Sequence, residues 1–193
     1  MACPSLRNAI RDCSGGSLAI TLIYNPKAKP KYGAFKQATF GYFDCPVLWG
    51  STSIAIKQAL YDKHIQLKKL MTDLNCLHWA SALMGLVYSF INDYKETNGL
   101  SPTFPIPEMV FVKSVLTISD INQEVFLLEE VINDFVEGPF IKYIENYSVI
   151  PHNFLEGEEH CLGEFLSFCQ HIQFLKTKGL AIVGDFQGMT WNT

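Results

Sequence analysis

The sequence predicts an α+β fold, and three features of the chain indicate that class. β-prone segments occupy the first third and return between residues 109 and 128, one long amphipathic helix lies between them, and a second helix with a short apolar run follows. Strands and helices in separate runs are typical of α+β domains. With 193 residues, 48% hydrophobic and 18% charged, the chain can bury a core without a disulfide or a metal.

Three strands are predicted before the long helix. Ser17–Tyr24 is an apolar run that we interpret as a buried strand rather than a signal sequence, because no small-residue cleavage site follows it. After a basic, proline-broken connection, the aromatic segment 33–43 is β-prone. Pro46 and Gly50 predict a turn, and the segment 53–61 follows as a third strand.

The long helix is predicted over residues 65–94. Its larger apolar side chains recur in steps of three, four and seven, which indicates one face packed in a core. Within it, Leu74–Asn92 carries no charged side chain other than His78 and has nearly the length of a membrane span. Because the periodicity continues upstream through a charged segment, we favour an amphipathic core helix over a span.

Two strands, a helix and a last short strand are predicted after a proline-rich loop. The strands cover residues 109–116 and 124–128, separated by a polar link. The second amphipathic helix covers residues 158–176, with Gly179 as its C′ residue. The apolar run 180–183 is interpreted as the last strand.

Charge and cysteine usage exclude several classes of partner. Fifteen basic and nineteen acidic residues give a net charge of −4, so no global positive field attracts nucleic acid or an anionic membrane. The cysteines show no regular spacing and no C-x-x-C pair, which indicates reduced thiols and an intracellular, cytoplasmic location. The six cysteines are Cys3, Cys13, Cys45, Cys76, Cys161 and Cys169.

Two side chains stand out as candidates for chemistry. Asp185 lies in G-D-F-Q-G, where flanking glycines permit a tight turn and close ligand approach, although an ordinary aspartate turn is the alternative. Lys57 lies between apolar neighbours in I-A-I-K-Q and can offer a point charge to phosphate oxygens. From the residues alone, an exposed lysine on an edge strand is the favoured interpretation.

Other candidates carry weaker signals. Glu129 and Glu130 follow an apolar strand, as a connection between two lobes would, and a solvated acidic turn explains them equally well. His171 stands near other histidine and cysteine side chains, but their spacing matches no standard zinc-ligand pair. A packed core histidine is therefore favoured.

Seven segments of the chain, taken in order, form a recognisable set. They are G-A-F-K-Q-A (33–38), I-A-I-K-Q (54–58), L-N-C-L-H-W-A-S-A-L (74–83), F-L-L-E-E-V-I (126–132), G-P-F-I-K-Y-I-E-N (138–146), F-L-S-F-C-Q-H-I-Q-F (165–174) and L-A-I-V-G-D-F-Q-G (180–188). This set resembles the alpha-type (atypical) protein kinase family, and its expanded fungal branch in particular. The resemblance spans most of the chain from about residue 30.

The resemblance implies a two-lobed fold that binds ATP and Mg²⁺. It also implies transfer of the γ-phosphoryl group of ATP to serine or threonine hydroxyls of a protein substrate. The sequence does not identify that substrate. Lys57 resembles the lysine that holds the ATP phosphates, and Glu129, with Val131, the adenine-binding connection. Lys142 and Asn146 resemble positions that face the phosphates and the substrate.

The resemblance also assigns the catalytic and metal-binding positions. Asp185 resembles the catalytic aspartate, which also faces Mg²⁺, and Gln187 resembles the magnesium ligand two residues later. His171 resembles the first ligand of a structural Zn²⁺. Asp73 on the long helix is our prediction for the acid that orients Lys57.

The sequence departs from the family pattern after Gly188. The second metal-binding aspartate, the glycine-rich substrate loop and the other zinc ligands do not follow. We therefore expect weak or absent phosphotransfer, with nucleotide binding retained and no zinc. The alternative is a truncated pseudokinase that binds nucleotide or proteins.

The predicted domains are an N-terminal strand extension, 1–30, and a kinase domain, 31–193. The kinase domain has an N-lobe over about 31–128 and a partial C-lobe over about 131–193.

Overall fold

The described part of the chain divides into two compact units. A computed structural model describes residues 5–11, 17–25, 27–43, 53–99, 105–131 and 139–189. The first unit comprises Met1–Leu77 and Val112–Val131, and the second comprises His78–Phe111 and Ile132–Thr193. The α+β class that the sequence predicts is confirmed. The predicted domain boundaries remain a prediction.

The first unit contains a curled antiparallel sheet. Its strands are β1 Ser5–Arg11, β2 Ser17–Tyr24, β3 Lys31–Tyr32, β4 Lys36–Phe43, β5 Ser53–Ala59, β6 Ser114–Ser119 and β7 Val125–Glu130. They lie in the order β2-β1-β6-β7-β5-β4-β3, and a further pairing of β2 with β4 curls the sheet. The predicted strands in the first third are confirmed, β1 and β3 are additional, and the turn predicted from Pro46 and Gly50 lies outside the described residues.

The long helix α1 spans Lys63–Asn98, a few residues beyond the predicted ends. Its length and hydropathy satisfy the criteria for a membrane span, and 22% of its most apolar window is buried. One helix that meets such criteria is weak evidence for a span. Met84, Val87 and Ile91, spaced three and four residues apart, are buried in the core of the second unit, as the amphipathic interpretation predicts.

The sheet buries apolar side chains on both faces. The cluster enclosed by the curl consists of Ile20, Leu22, Phe43, Ile54, Ile56, Val115, Phe126 and Leu128. The cluster on the other face consists of Ala59, Val125 and Leu127 with Leu70 of α1. Since side chains alternate along a strand, Lys57 lies on the same face as Ala59.

The second unit packs the second part of α1 against a short ladder and a helix. The ladder pairs β8, Ile141–Lys142, with β9, Gln187–Gly188, and the helix α2 spans Gly157–Lys176. Two glutamates in the first turn and Lys176 in the last complement the helix dipole. The predicted C′ position is off by one residue: the cap is Thr177, so C′ is Lys178 with φ 56°, and Gly179 follows with φ 79°.

Two predicted strands differ from the structure. The strand predicted over 109–116 begins only at Ser114, because the Tyr88 hydroxyl bonds the preceding backbone: it donates to the carbonyl of Pro107 and accepts from the N–H of Met109. The run 180–183 forms no strand, since side chains of α2 and its cap satisfy its backbone groups, and Leu180 is 87% exposed. An apolar run predicts burial but does not identify the hydrogen-bond partner.

Candidate functional site

Lys57 lies on an interior strand of the sheet. Strand β5 pairs with β4 on one side and with β7 on the other. The favoured interpretation from the residues alone, an exposed lysine on an edge strand, is therefore wrong. The sheet fixes the Cα of Lys57 from both sides, and 30% of its side chain is exposed.

The ammonium group of Lys57 forms an ion pair with the carboxylate of Glu129. Lys57 lies opposite Leu127 in the ladder, and Glu129 lies opposite Ala55, so the pair joins diagonal neighbours on one face of the sheet. Only 12% of the Glu129 side chain is exposed. Glu129 therefore belongs to strand β7, and the interpretation as a solvated acidic turn is wrong.

Asp73 pairs with a different lysine from the one we predicted. Its carboxylate accepts from Lys36 Nζ at 2.8 Å, and both side chains are about one-third exposed. The prediction that Asp73 orients Lys57 is wrong, because Glu129 occupies that role across the ladder. Helical position alone could not decide which strand residue Asp73 reaches.

A cavity of about 380 Å³ opens beside the pair formed by Lys36 and Asp73. Further lining residues are Phe35, Tyr61, Lys68 and Lys69. Lys57 does not line it. Val131, the other residue predicted at the adenine connection, directly follows β7 and is half-buried.

In the second unit, Asp185 is held by two side chains from the segment that begins with β8. The ammonium of Lys142 lies 3.0 Å from Asp185 Oδ1. With its amide oriented to satisfy its neighbours, Asn146 donates to both carboxylate oxygens, at 2.7 and 3.1 Å. The structure thus brings together three of the predicted site residues, Lys142, Asn146 and Asp185.

The backbone at Asp185 adopts an unusual conformation. Its φ is 56°, in the left-handed region that aspartate tolerates better than most residues. The positive φ therefore falls on the acid itself rather than on a neighbouring glycine. The next residue, Phe186, is buried, and its carbonyl accepts from the N–H of Tyr143 at 2.8 Å. This anchor fixes the chain immediately after the carboxylate.

Sequence reasoning missed two further members of this cluster, Glu145 and His152. Glu145 accepts from Lys142 Nζ at 2.7 Å, and His152 Nε2 lies 3.2 Å from the other oxygen of Glu145. The hydrogen bonds that Lys142 donates, to Glu145 first and to Asp185 second, raise the pKa of Lys142, and the same bond from Lys142 lowers the pKa of Glu145. The K-x-x-E spacing was visible in the sequence, but only the turn after β8 makes it a contact.

Besides Asp185, the predicted metal-binding residues are Gln187 and His171, which lie on different elements of the second unit. Gln187 lies directly opposite Lys142 in the β8–β9 ladder, so the two side chains share a face. His171 is exposed on α2, so the favoured interpretation as a packed core histidine is wrong. Among the residues that the structure describes, no group of three histidine, cysteine or acidic side chains could hold a metal. The described residues therefore do not fit a structural zinc.

Comparisons with known proteins define the class of the chain. Residues 33–193 match the sequence model of the alpha-kinase family, so the chain belongs to that family. It is a protein kinase by membership, a class of transferase that binds ATP.

A solved structure agrees with this assignment. The crystal structure of the alpha-kinase domain of myosin heavy chain kinase A, in complex with ADP, is similar with a TM-score of 0.58 and 12% sequence identity. The match covers 99% of this chain and 81% of that one, and at this identity it shows the fold. No curated protein matches the sequence.

Proposed function

We propose that this chain is an ATP-binding serine/threonine protein kinase domain that transfers the γ-phosphoryl group of ATP to protein hydroxyls. The observation that carries the proposal is the arrangement at Asp185: a half-exposed carboxylate bound by Lys142 and Asn146, two residues before Gln187. Phosphoryl transfer requires mainly positioning and charge neutralisation, and these side chains supply both. Family membership supports the same reaction.

Lys57 is proposed to hold the phosphates of the nucleotide. A lysine is a compact point charge, and its ion pair with Glu129 keeps its ammonium in place without burying it completely. The similar structure named above holds ADP, which supports a nucleotide site on this fold. Glu129 and Val131, at the end of β7, are proposed to contact the adenine, with Lys142 and Asn146 near the phosphates and the acceptor.

Asp185 is proposed to orient the acceptor hydroxyl and to accept its proton. The hydroxyl oxygen forms a bond to the γ-phosphorus, the bond from that phosphorus to the bridging oxygen breaks, and ADP leaves with the electron pair. The carboxylate can take the proton because it is 40% exposed and within reach of an incoming group. Lys142 keeps the surrounding charge balanced.

The donor set in the second unit is compatible with Mg²⁺. The carboxylate of Asp185 and the amide oxygen of Gln187 are hard oxygen donors, and Mg²⁺ is commonly held by one or two carboxylates together with nucleotide phosphates. When bound, the ion would neutralise phosphate charge. The expectation of weak phosphotransfer, drawn from the sequence, remains a prediction.

A radiolabel transfer assay tests the proposal. The chain is incubated with γ-labelled Mg-ATP and a mixed protein acceptor, beside Asp185→Asn and a control variant, Asp93→Asn, which alters an exposed acid of α1 in the same unit. We expect weak transfer by the wild type and the control and at least ~100-fold less by Asp185→Asn. Equal transfer by Asp185→Asn would contradict the assigned role. Binding of nucleotide without transfer in every protein would support the alternative, a nucleotide-binding pseudokinase.

A further inference from the structure

Helix α2 buries two glutamines, Gln170 and Gln173, in the core of the second unit. Their exposed fractions are 2% and 0%. A buried amide is costly unless it is hydrogen-bonded, and an apolar side chain would fill the same space without that cost. The partners of these two side chains therefore indicate what they do.

Both glutamines bond the same backbone residue, Val183. The N–H of Val183 donates to Gln173 Oε1 at 2.8 Å, and Gln170 Nε2 donates to the carbonyl oxygen of Val183, also at 2.8 Å. In an antiparallel sheet, one residue of a neighbouring strand exchanges the same two bonds with its partner. The two amides, about one helical turn apart, thus take the place of the neighbouring strand with which residues 180–183 were predicted to pair.

A third side chain extends this contact toward the helix end. The hydroxyl of Thr177 accepts from the N–H of Ala181 at 3.1 Å. Alternate residues of the segment are therefore bound to the same helix and its cap. The backbone is therefore bonded to α2 and its cap at residues 181 and 183.

Val183 lies two residues before Asp185, and Phe186 is anchored on the other side by the N–H of Tyr143. Asp185 is thus held between two fixed residues while its own φ is 56°. A non-glycine residue in that region persists only where the surrounding structure determines it. The hydrogen bonds to Val183 fix the backbone on the N-terminal side of Asp185.

We propose that Gln170 and Gln173 are positioning residues, which hold Asp185 against Lys142 and Asn146 through the backbone of Val183. The inference rests on the proposed function, in which Asp185 orients the acceptor hydroxyl. It assigns a role to two buried residues that act through the backbone of another segment.

The test compares variants that remove side-chain hydrogen bonds to the segment 181–183. Gln173 also donates to Met84 Sδ at 3.6 Å, a contact that Gln170 lacks, so the two glutamines are changed separately. Gln173→Met and Gln170→Met keep the side-chain length and remove the bonds to Val183. Thr177→Val is a milder variant that remains informative if the methionine variants fold poorly. The control is Ile172→Val, which trims the same core by one methyl group and removes no hydrogen bond to the segment. All four are compared with the wild type at a temperature where each is folded.

Hydrogen exchange of the peptide that covers residues 181–189 is the first readout. We expect exchange at least ~10-fold faster in the glutamine variants than in Ile172→Val, with the β4 and β5 peptides unchanged. Exchange no faster than in the control would overturn the proposal. This readout does not require turnover, so it judges the positioning role even if the wild type transfers no phosphate, a result that would contradict only the proposed function.

The kinetic readout separates positioning from binding. We expect kcat to fall ~10- to 100-fold in the glutamine variants with the KM for ATP within about threefold, because a small displacement of a reacting group affects the chemical step. A kcat equal to that of Ile172→Val would overturn the proposal.

Discussion

Lys57 and Glu129 form an ion pair between neighbouring strands, and the acid is the more buried partner, 12% exposed against 30%. The pair joins diagonal positions of the β5–β7 ladder, so the backbone of two interior strands determines its geometry. Lysine side chains are flexible, and a buried carboxylate beside the ammonium limits that freedom. This pair makes Lys57 a defined cation of the first unit.

Breaking this pair should cost measurable stability. Glu129→Gln leaves the half-buried ammonium of Lys57 without its acid, and we expect a loss of about 1–3 kcal/mol, between the values for surface and buried pairs. Urea unfolding measures the loss, and a double-mutant cycle with Lys57→Met isolates the coupling between the two residues. A coupling energy of zero within error would show that the pair contributes nothing.

The pair formed by Lys36 and Asp73 should behave differently. Both side chains are about one-third exposed, so Asp73→Asn should cost less than about 1 kcal/mol, and the loss should shrink at high salt. Urea unfolding at low and high ionic strength measures it. A loss as large as that of Glu129→Gln, or one that salt does not reduce, would contradict the interpretation of this pair as a solvent-screened surface contact.

Two glycines should respond to alanine in opposite directions. A Cβ at Gly41 in β4 would lie 2.6 Å from the carbonyl oxygen of Ile23 on β2, so Gly41→Ala must separate paired strands and should cost about 2 kcal/mol or more. Gly85 in α1 has open space around it, and Gly85→Ala should stabilise the helix by about 0.5–1 kcal/mol. Thermal unfolding measures both. Equal tolerance at the two sites would contradict the pairing of β2 with β4.

Among the cysteines that the structure describes, the buried Cys169 should react far more slowly than the exposed Cys76 and Cys161. Burial raises the pKa of the Cys169 thiol to about 12, so only about one such thiol in ten thousand is ionised at pH 8. Cys76 and Cys161 are exposed. Iodoacetamide at pH 8 should modify those two in the native protein and Cys169 only after denaturation, as peptide mapping reports. Rapid native modification of Cys169 would show that this core opens readily.

Periodicity predicted both helices, because their apolar residues recur on one face, and an apolar run predicted the strand at Ser17–Tyr24. Predictions failed where a side chain, not a strand, satisfies the backbone. Leu180 begins an apolar run that reads as a strand, yet the glutamines of α2 bond that segment. Such contacts connect distant residues and leave no periodic signal.

The site was predictable in its residue types but not in its partners. Lys57 and Asp185 stood out because their neighbours in sequence are apolar or glycine. The sequence does not show which acid lies beside Lys57. Asp73 is on a helix and pairs with Lys36, whereas the register of two neighbouring strands brings Glu129 to Lys57. Glu145 was missed because its contact with Lys142 depends on a turn.

Nucleotide-dependent stability tests the central claim most directly. Thermal unfolding of the wild type, Lys57→Ala and the control Lys68→Ala is measured with and without millimolar Mg-ATP, since a ligand specific for the native state raises the Tm by mass action. We predict a rise in Tm for the wild type and for Lys68→Ala, and little or none for Lys57→Ala. No rise in the wild type, or an equal rise in Lys57→Ala, would contradict the account.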